Sequence, residues 1–116
     1  MNTMQKISGV IIRGKQKGRE MGFPTANLAL HNCAVKSGVY TGKVYFDDDD
    51  YAAAVFVPEK CDVLEAHIFD FEGDLYGKEI EIEVGHKIRE AVKFESEKEL
   101  IGQVLKDLEL IRNSGV

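Results

Sequence analysis

Residues 78–84 alternate Ile80, Ile82 and Val84 with Glu79, Glu81 and Glu83. A period of two places the apolar side chains on one face of a strand and the carboxylates on the other, which predicts an antiparallel strand with one wet face. Residues 8–14 carry the β-branched run Val10, Ile11, Ile12 and close on a glycine. Residues 38–46 carry Val39, Tyr40, Val44, Tyr45 and Phe46; residues 51–57 are almost wholly apolar and suit an interior strand; residues 63–71 form a longer, mixed run. Residues 86–90 either continue the 78–84 strand or pair beside it. Short strands at close spacing without intervening helices favour a barrel or sandwich over a parallel sheet. The segment 29–36 has no periodicity and is expected to be a loop.

The period changes near the C-terminus. Ser96-Glu97-Lys98-Glu99 is a capping box, and Leu100, Ile101, Val104, Leu105, Leu108 and Ile111 follow at helical spacing. Asn113 and Gly115 supply the stop. One amphipathic helix of about four turns is therefore expected to pack on the strands, its apolar stripe serving as core.

Composition narrows the class. A chain of 116 residues, 44% hydrophobic and 30% charged, is one globular domain spanning 1–116. Its formal net charge of −5 argues against a general nucleic-acid partner. Two cysteines, Cys33 and Cys61, are too few for a disulfide framework, read as isolated buried thiols, and form no zinc pattern. There is no signal-peptide or membrane-span pattern, so a cytoplasmic monomer without membrane contact is expected. The run Asp47 to Asp50 reads as a solvated hairpin turn, because its acids lack the alternation of a hard-cation loop.

One basic stretch stands out against this acidic background. Gly14, Lys15, Lys17, Gly18, Arg19 and Gly22 lead into Phe23-Pro24-Thr25-Ala26-Asn27-Leu28. Glycines let backbone N–H groups approach a phosphate, and local cations attract it. Pro24 fixes the backbone before Thr25. Thr25 and Asn27 then offer a hydroxyl and an amide oxygen two residues apart, hard neutral ligands suited to Mg²⁺ that also touches substrate phosphates. The spacing departs from the P-loop pattern. Glu65 lies inside Val63-Leu64-Glu65-Ala66-His67-Ile68-Phe69. Buried there, it would be a strengthened base; facing solvent, it would be one polar position of an amphipathic strand. His67 shares its face and is expected to be structural. Tyr76 sits beside a turn glycine and suits either ligand-ring or sheet packing. Arg89 and Phe94 together can hold a flat ring, and Phe94 also suits a hydrophobic staple before Ser96.

These blocks resemble the riboflavin kinase family over nearly the whole chain. The resemblance rests on Gly14-x-x-x-Gly18-Arg19-x-x-Gly22-Phe23-Pro24-Thr25-Ala26-Asn27-Leu28, Ser37-Gly38-Val39-Tyr40, Leu64 to Phe71, Asp74-Leu75-Tyr76-Gly77, and Ile88-Arg89 with Lys93-Phe94. It implies a mainly β fold, a six-stranded antiparallel Greek-key barrel with a C-terminal α-helix. It also implies transfer of the γ-phosphate of ATP to the 5′-hydroxyl of riboflavin, giving FMN and ADP. In that resemblance Glu65 matches the catalytic base, Thr25 and Asn27 match the Mg²⁺ and phosphate positions, and the 14–22 loop arches over the nucleotide. Tyr76 matches a nucleotide-side aromatic, and Arg89 and Phe94 match a mobile loop that closes on the flavin ring.

The chain departs from the family in two places. The usual Asn-x-Gly-x-x-Pro-Thr block is Ala53-Ala54-Val55-Phe56-Val57-Pro58-Glu59, which keeps only the proline, and Ala91 stands where an acid is usual. Both changes are expected near the flavin side. Conversion of FMN to FAD is not expected. The altered block also motivates two other readings: a non-catalytic flavin- or nucleotide-binding module, or a same-fold kinase with another acceptor or nucleotide donor.

Overall fold

The computed structural model describes residues 5–13, 25–30, 35–59, 62–71, 73 and 75–113. Six strands form a closed antiparallel barrel: β1 (Gln5–Ile12), β2 (Ala26–Ala29), β3 (Gly38–Phe46), β4 (Asp49–Val57), β5 (Val63–Ile68) and β6 (Glu79–Arg89). Around the barrel the order is β1-β2-β5-β4-β3-β6. Strands β3, β4 and β5 are sequential neighbours, and β6 returns beside β3, which is a Greek key. One helix, α1 (Glu97–Arg112), follows.

The barrel interior is filled from alternate positions of every strand. Leu28, Val44, Val55, Leu64 and Ile82 are fully buried there, with Ile80 and Val84 beside them. The glutamates of β6 lie on the other face, as the period of two predicts. Gly42 makes room on β3, because a Cβ there would lie 2.6 Å from Val55 Cγ2. At one end Phe46, Tyr51 and Phe71 close the core with one stacked and two edge-to-face ring contacts.

Strand β2 was not expected as a strand. At four residues it is too short to display a period, and pairing with β1 and β5 makes it one. The predicted 29–36 loop therefore loses Ala29 to β2, and residues 31–34 lie outside the described set. Residues 78–84 and 86–90 join in the single strand β6, whose register against β3 shifts twice. Gly85 fits this irregularity, since a Cβ there would meet Thr41 Oγ1 at 2.5 Å, and Thr41 Oγ1 accepts a hydrogen bond from the His86 amide at 2.9 Å. Strand β5 ends at Ile68, and Asp70 turns the chain with φ 57°. Phe69 consequently packs under the helix while Phe71 joins the barrel core.

Asp47 and Asp48 form the expected hairpin turn, both with positive φ (50° and 65°), the signature of a type I′ turn. Helix α1 starts where the capping box predicts: Ser96 Oγ accepts from the Glu99 amide at 3.2 Å. Asn113 is the C-cap, its amide donating to Glu109 O, while Gly115 lies outside the described residues. The buried face is Val104, Asp107 and Ile111, with Leu108 partly covered. Leu105, expected on the stripe, is 53% exposed, and Asp107 occupies the buried face instead. Leu105 lies about 100° round the helix from Val104, outside the narrow face that meets the barrel. That face rests on Val39, Ala54, Phe56 and Phe69, on the outside of the barrel. Among the described residues, no helix is long and apolar enough to cross a membrane.

Candidate active site

The barrel register brings the expected site residues into one row. Asn27 on β2 pairs with Glu65 on β5; Glu65 pairs with Phe56 on β4; Phe56 pairs with Val39 on β3; Val39 pairs with Arg89 on β6. Cross-strand partners share a face. The interior is taken by Leu28, Leu64 and Val55, so the row lies on the outer wall. Helix α1 covers its middle, where Val39 and Phe56 pack against Ile111 and Leu108. Beyond the helix the row ends in exposed Glu65 and buried Asn27.

Thr25 immediately precedes β2 and reaches the same carboxylate. Its hydroxyl donates to Glu65 Oε1 at 3.4 Å, a long and weak contact. Asn27 is buried at 6% exposure, Thr25 is half-buried and Glu65 is exposed. The Glu65 carboxylate therefore meets water rather than an apolar interior. Outward positions of a barrel strand stay wet unless another element covers them, and α1 rests mainly on β3 and β4. Glu65 nevertheless stands directly against the threonine–asparagine pair. A hydroxyl that donates its proton to a carboxylate keeps its lone pairs for a cation. Thr25 and Asn27 thus offer two neutral oxygens of the kind that Mg²⁺ takes beside water and phosphate. Among the described residues, no group of three or more His, Cys, Asp or Glu forms an all-protein cage.

The other expected residues divide between two places. Tyr76 is 54% exposed in the turn before β6, and the Arg13 guanidinium lies over its ring at 4.2 Å. The Gly77 amide donates to Ile11 O, and the Ile11 amide to Lys78 O, both at 2.9 Å, so this turn is tied to the end of β1. Tyr76 therefore stands beside the chain's entry into residues 14–24. Gly14, Lys15, Lys17, Gly18, Gly22 and Pro24 themselves lie outside the described residues, as do Cys33 and Cys61.

Arg89, which the resemblance places in a mobile loop, is the last residue of β6. Its Nε donates to Asp107 Oδ1 and Oδ2 at 3.0 Å, and its Nη2 to Oδ2 at 2.8 Å. Its Nη1 donates to Glu90 O at 2.9 Å, and its guanidinium lies 5.7 Å from the Phe94 ring centroid. Phe94 is half-buried in the segment between β6 and α1. Asp107 and its partner Gln103 were not anticipated, because an acid in a helix usually faces water. The signal was its place between Val104 and Ile111 on the buried stripe.

Most of the altered block lies in β4. Ala53, Val55 and Val57 point into the barrel, and Ala54 and Phe56 face α1. The substitutions from Ala53 to Val57 are accommodated by core packing, and among the described residues of the block Phe56 lies opposite Glu65.

The closed Greek-key barrel thus carries a hydroxyl, an amide and a carboxylate together on its outer wall. Residues 1–114 match the riboflavin kinase (flavokinase) family, and the chain belongs to that family. It is 41% identical over 102 residues to the trifunctional protein RibF/MnmA of Mycoplasmoides gallisepticum, covering 81% of this chain and 16% of that protein. It is 36% identical over 112 residues to the bifunctional riboflavin kinase/FMN adenylyltransferase of Haemophilus influenzae, covering 90% and 36%. The chain thus spans well under half the length of both. Among solved structures, a macrolide-efflux protein from Streptococcus pneumoniae superposes with TM-score 0.82 at 32% identity, over 93% of this chain and 38% of that one. Riboflavin kinase from Trypanosoma brucei superposes with TM-score 0.67 at 26% identity, over 93% and 77%.

Proposed function

We propose that this chain transfers the γ-phosphate of ATP to the 5′-hydroxyl of riboflavin, giving FMN and ADP. The observation that carries the proposal is the convergence of Thr25, Asn27 and Glu65 from two neighbouring strands on one outer patch. Glu65 accepts the proton of the 5′-hydroxyl as that oxygen bonds to the γ-phosphorus and the bridge to the β-phosphate breaks. An exposed carboxylate suffices, because phosphoryl transfer depends mainly on positioning and charge neutralisation. Thr25 and Asn27 orient the phosphoryl oxygens of Mg·ATP, and the metal, when bound, neutralises the charge on them. Tyr76, Arg13 and the basic glycine-rich residues 14–22 form the nucleotide side.

Arg89 and Phe94 form the flavin side. We further propose a monomer acting in the cytoplasm, and the net charge of −5 weighs against a nucleic-acid partner.

Incubation with Mg·ATP and riboflavin, followed by flavin chromatography, is the decisive assay. FMN is expected from the wild type. Glu65→Gln should lower the rate by at least about a hundredfold with an unchanged thermal midpoint. Flavin binding without FMN would identify a non-catalytic module, and FMN-free turnover of another alcohol would identify another acceptor.

A further inference from the structure

We infer that Asp107, supported by Gln103, is a positioning residue for the flavin side of the site, acting through Arg89. The inference rests on the kinase reading above and deepens it. Asp107 is 3% exposed and lies on the apolar face of α1, between Val104 and Ile111. Burying a carboxylate there costs desolvation that an apolar side chain would avoid, so the ion pair is weak grounds for stability. What the carboxylate does supply is direction. It grips the planar guanidinium of Arg89 along its Nε–Nη2 edge, and the Gln103 amide donates to Oδ1 at 3.0 Å, fixing the carboxylate in turn. Arg89 is the point where β6 leaves the sheet and the chain enters residues 90–95, which have no regular structure. Clamped on one edge, the guanidinium donates from Nη1 to Glu90 O and lies over the Phe94 ring. Helix α1 thereby fixes both the last residue of the register row and the aromatic that follows it. A hydrophobic contact could anchor the helix equally well but would leave the guanidinium free to rotate.

The test is a split of Michaelis constants in Asp107→Asn and Gln103→Leu. Asp107→Asn keeps the shape and one acceptor oxygen; Gln103→Leu removes only the supporting amide and suits the stripe. The expected result is a KM for riboflavin raised about tenfold in Asp107→Asn and about threefold in Gln103→Leu, with the KM for Mg·ATP unchanged. Unchanged constants in a folded variant, or equal rises for both substrates, overturn the inference. If Asp107→Asn does not fold, Gln103→Leu decides alone. If the wild type makes no FMN, the kinase reading fails, and fluorescence titration with riboflavin takes over: weaker flavin binding in Gln103→Leu still supports the positioning role, and equal binding overturns it. A wild type that neither turns over nor binds riboflavin overturns both.

Discussion

Thr25 and Glu65 lie forty residues apart in sequence yet meet at 3.4 Å, because β2 and β5 are neighbours in the barrel. The types of both residues were legible from the chain: a hydroxyl after a proline, and an acid in an apolar strand. The environment of Glu65 was not, because whether an outward strand position is covered depends on where α1 rests. The contact suggests a direct check on the hydroxyl. Thr25→Ala should lower kcat/KM for Mg·ATP by about a hundredfold, whereas Thr25→Ser should stay within about tenfold of wild type, because it keeps the oxygen. Equal losses in the two variants would mean that the methyl group, not the oxygen, matters. Asp107 teaches the converse lesson. Its position on the helical stripe was visible, but only the facing arginine explains why an acid belongs there.

Among the elements, those governed by local chemistry matched expectation. The Ser96 cap, the β3–β4 hairpin and the alternation of β6 each follow from neighbours within a few residues. The hairpin also holds room for improvement. Asp48 sits at φ 65°, in the left-handed region where a Cβ is strained and where type I′ turns favour glycine. Asp48→Gly should raise the urea midpoint by the equivalent of about 0.5 kcal/mol at constant m-value. A lower midpoint would show that the greater freedom of glycine in the unfolded chain outweighs the relieved strain. Elements governed by distant partners were read incompletely. Strand β2 has four residues and exists because β1 and β5 flank it, and of the two alternatives for residues 86–90 it is continuation of β6 that holds, because irregular pairing with β3 lets the strand bend at Gly85.

For the whole molecule, the closed barrel turns five separate sequence positions into one row, and ligands that occupy its outer wall should be felt throughout the fold. Mg·ATP at a hundred times its dissociation constant should stabilise the native state by about 2.7 kcal/mol, a rise of several degrees in thermal midpoint, with riboflavin adding to it. Mg·ATP without a shift at saturating concentration would contradict the nucleotide site. The sequence by itself determined the antiparallel class, the helix and its cap, the acidic turn, and the Thr25–Asn27 and Glu65 candidates. Each of these is written in spacing, in propensity or in a contiguous motif. Tertiary structure alone decided that Asn27, Glu65, Phe56, Val39 and Arg89 share one row, that Glu65 is exposed, that the altered Ala53–Glu59 block is mostly core, and that Asp107 holds Arg89. The reason is that barrel closure pairs strands remote in the chain. Register and coverage arise from those pairings, and no local window of sequence contains them.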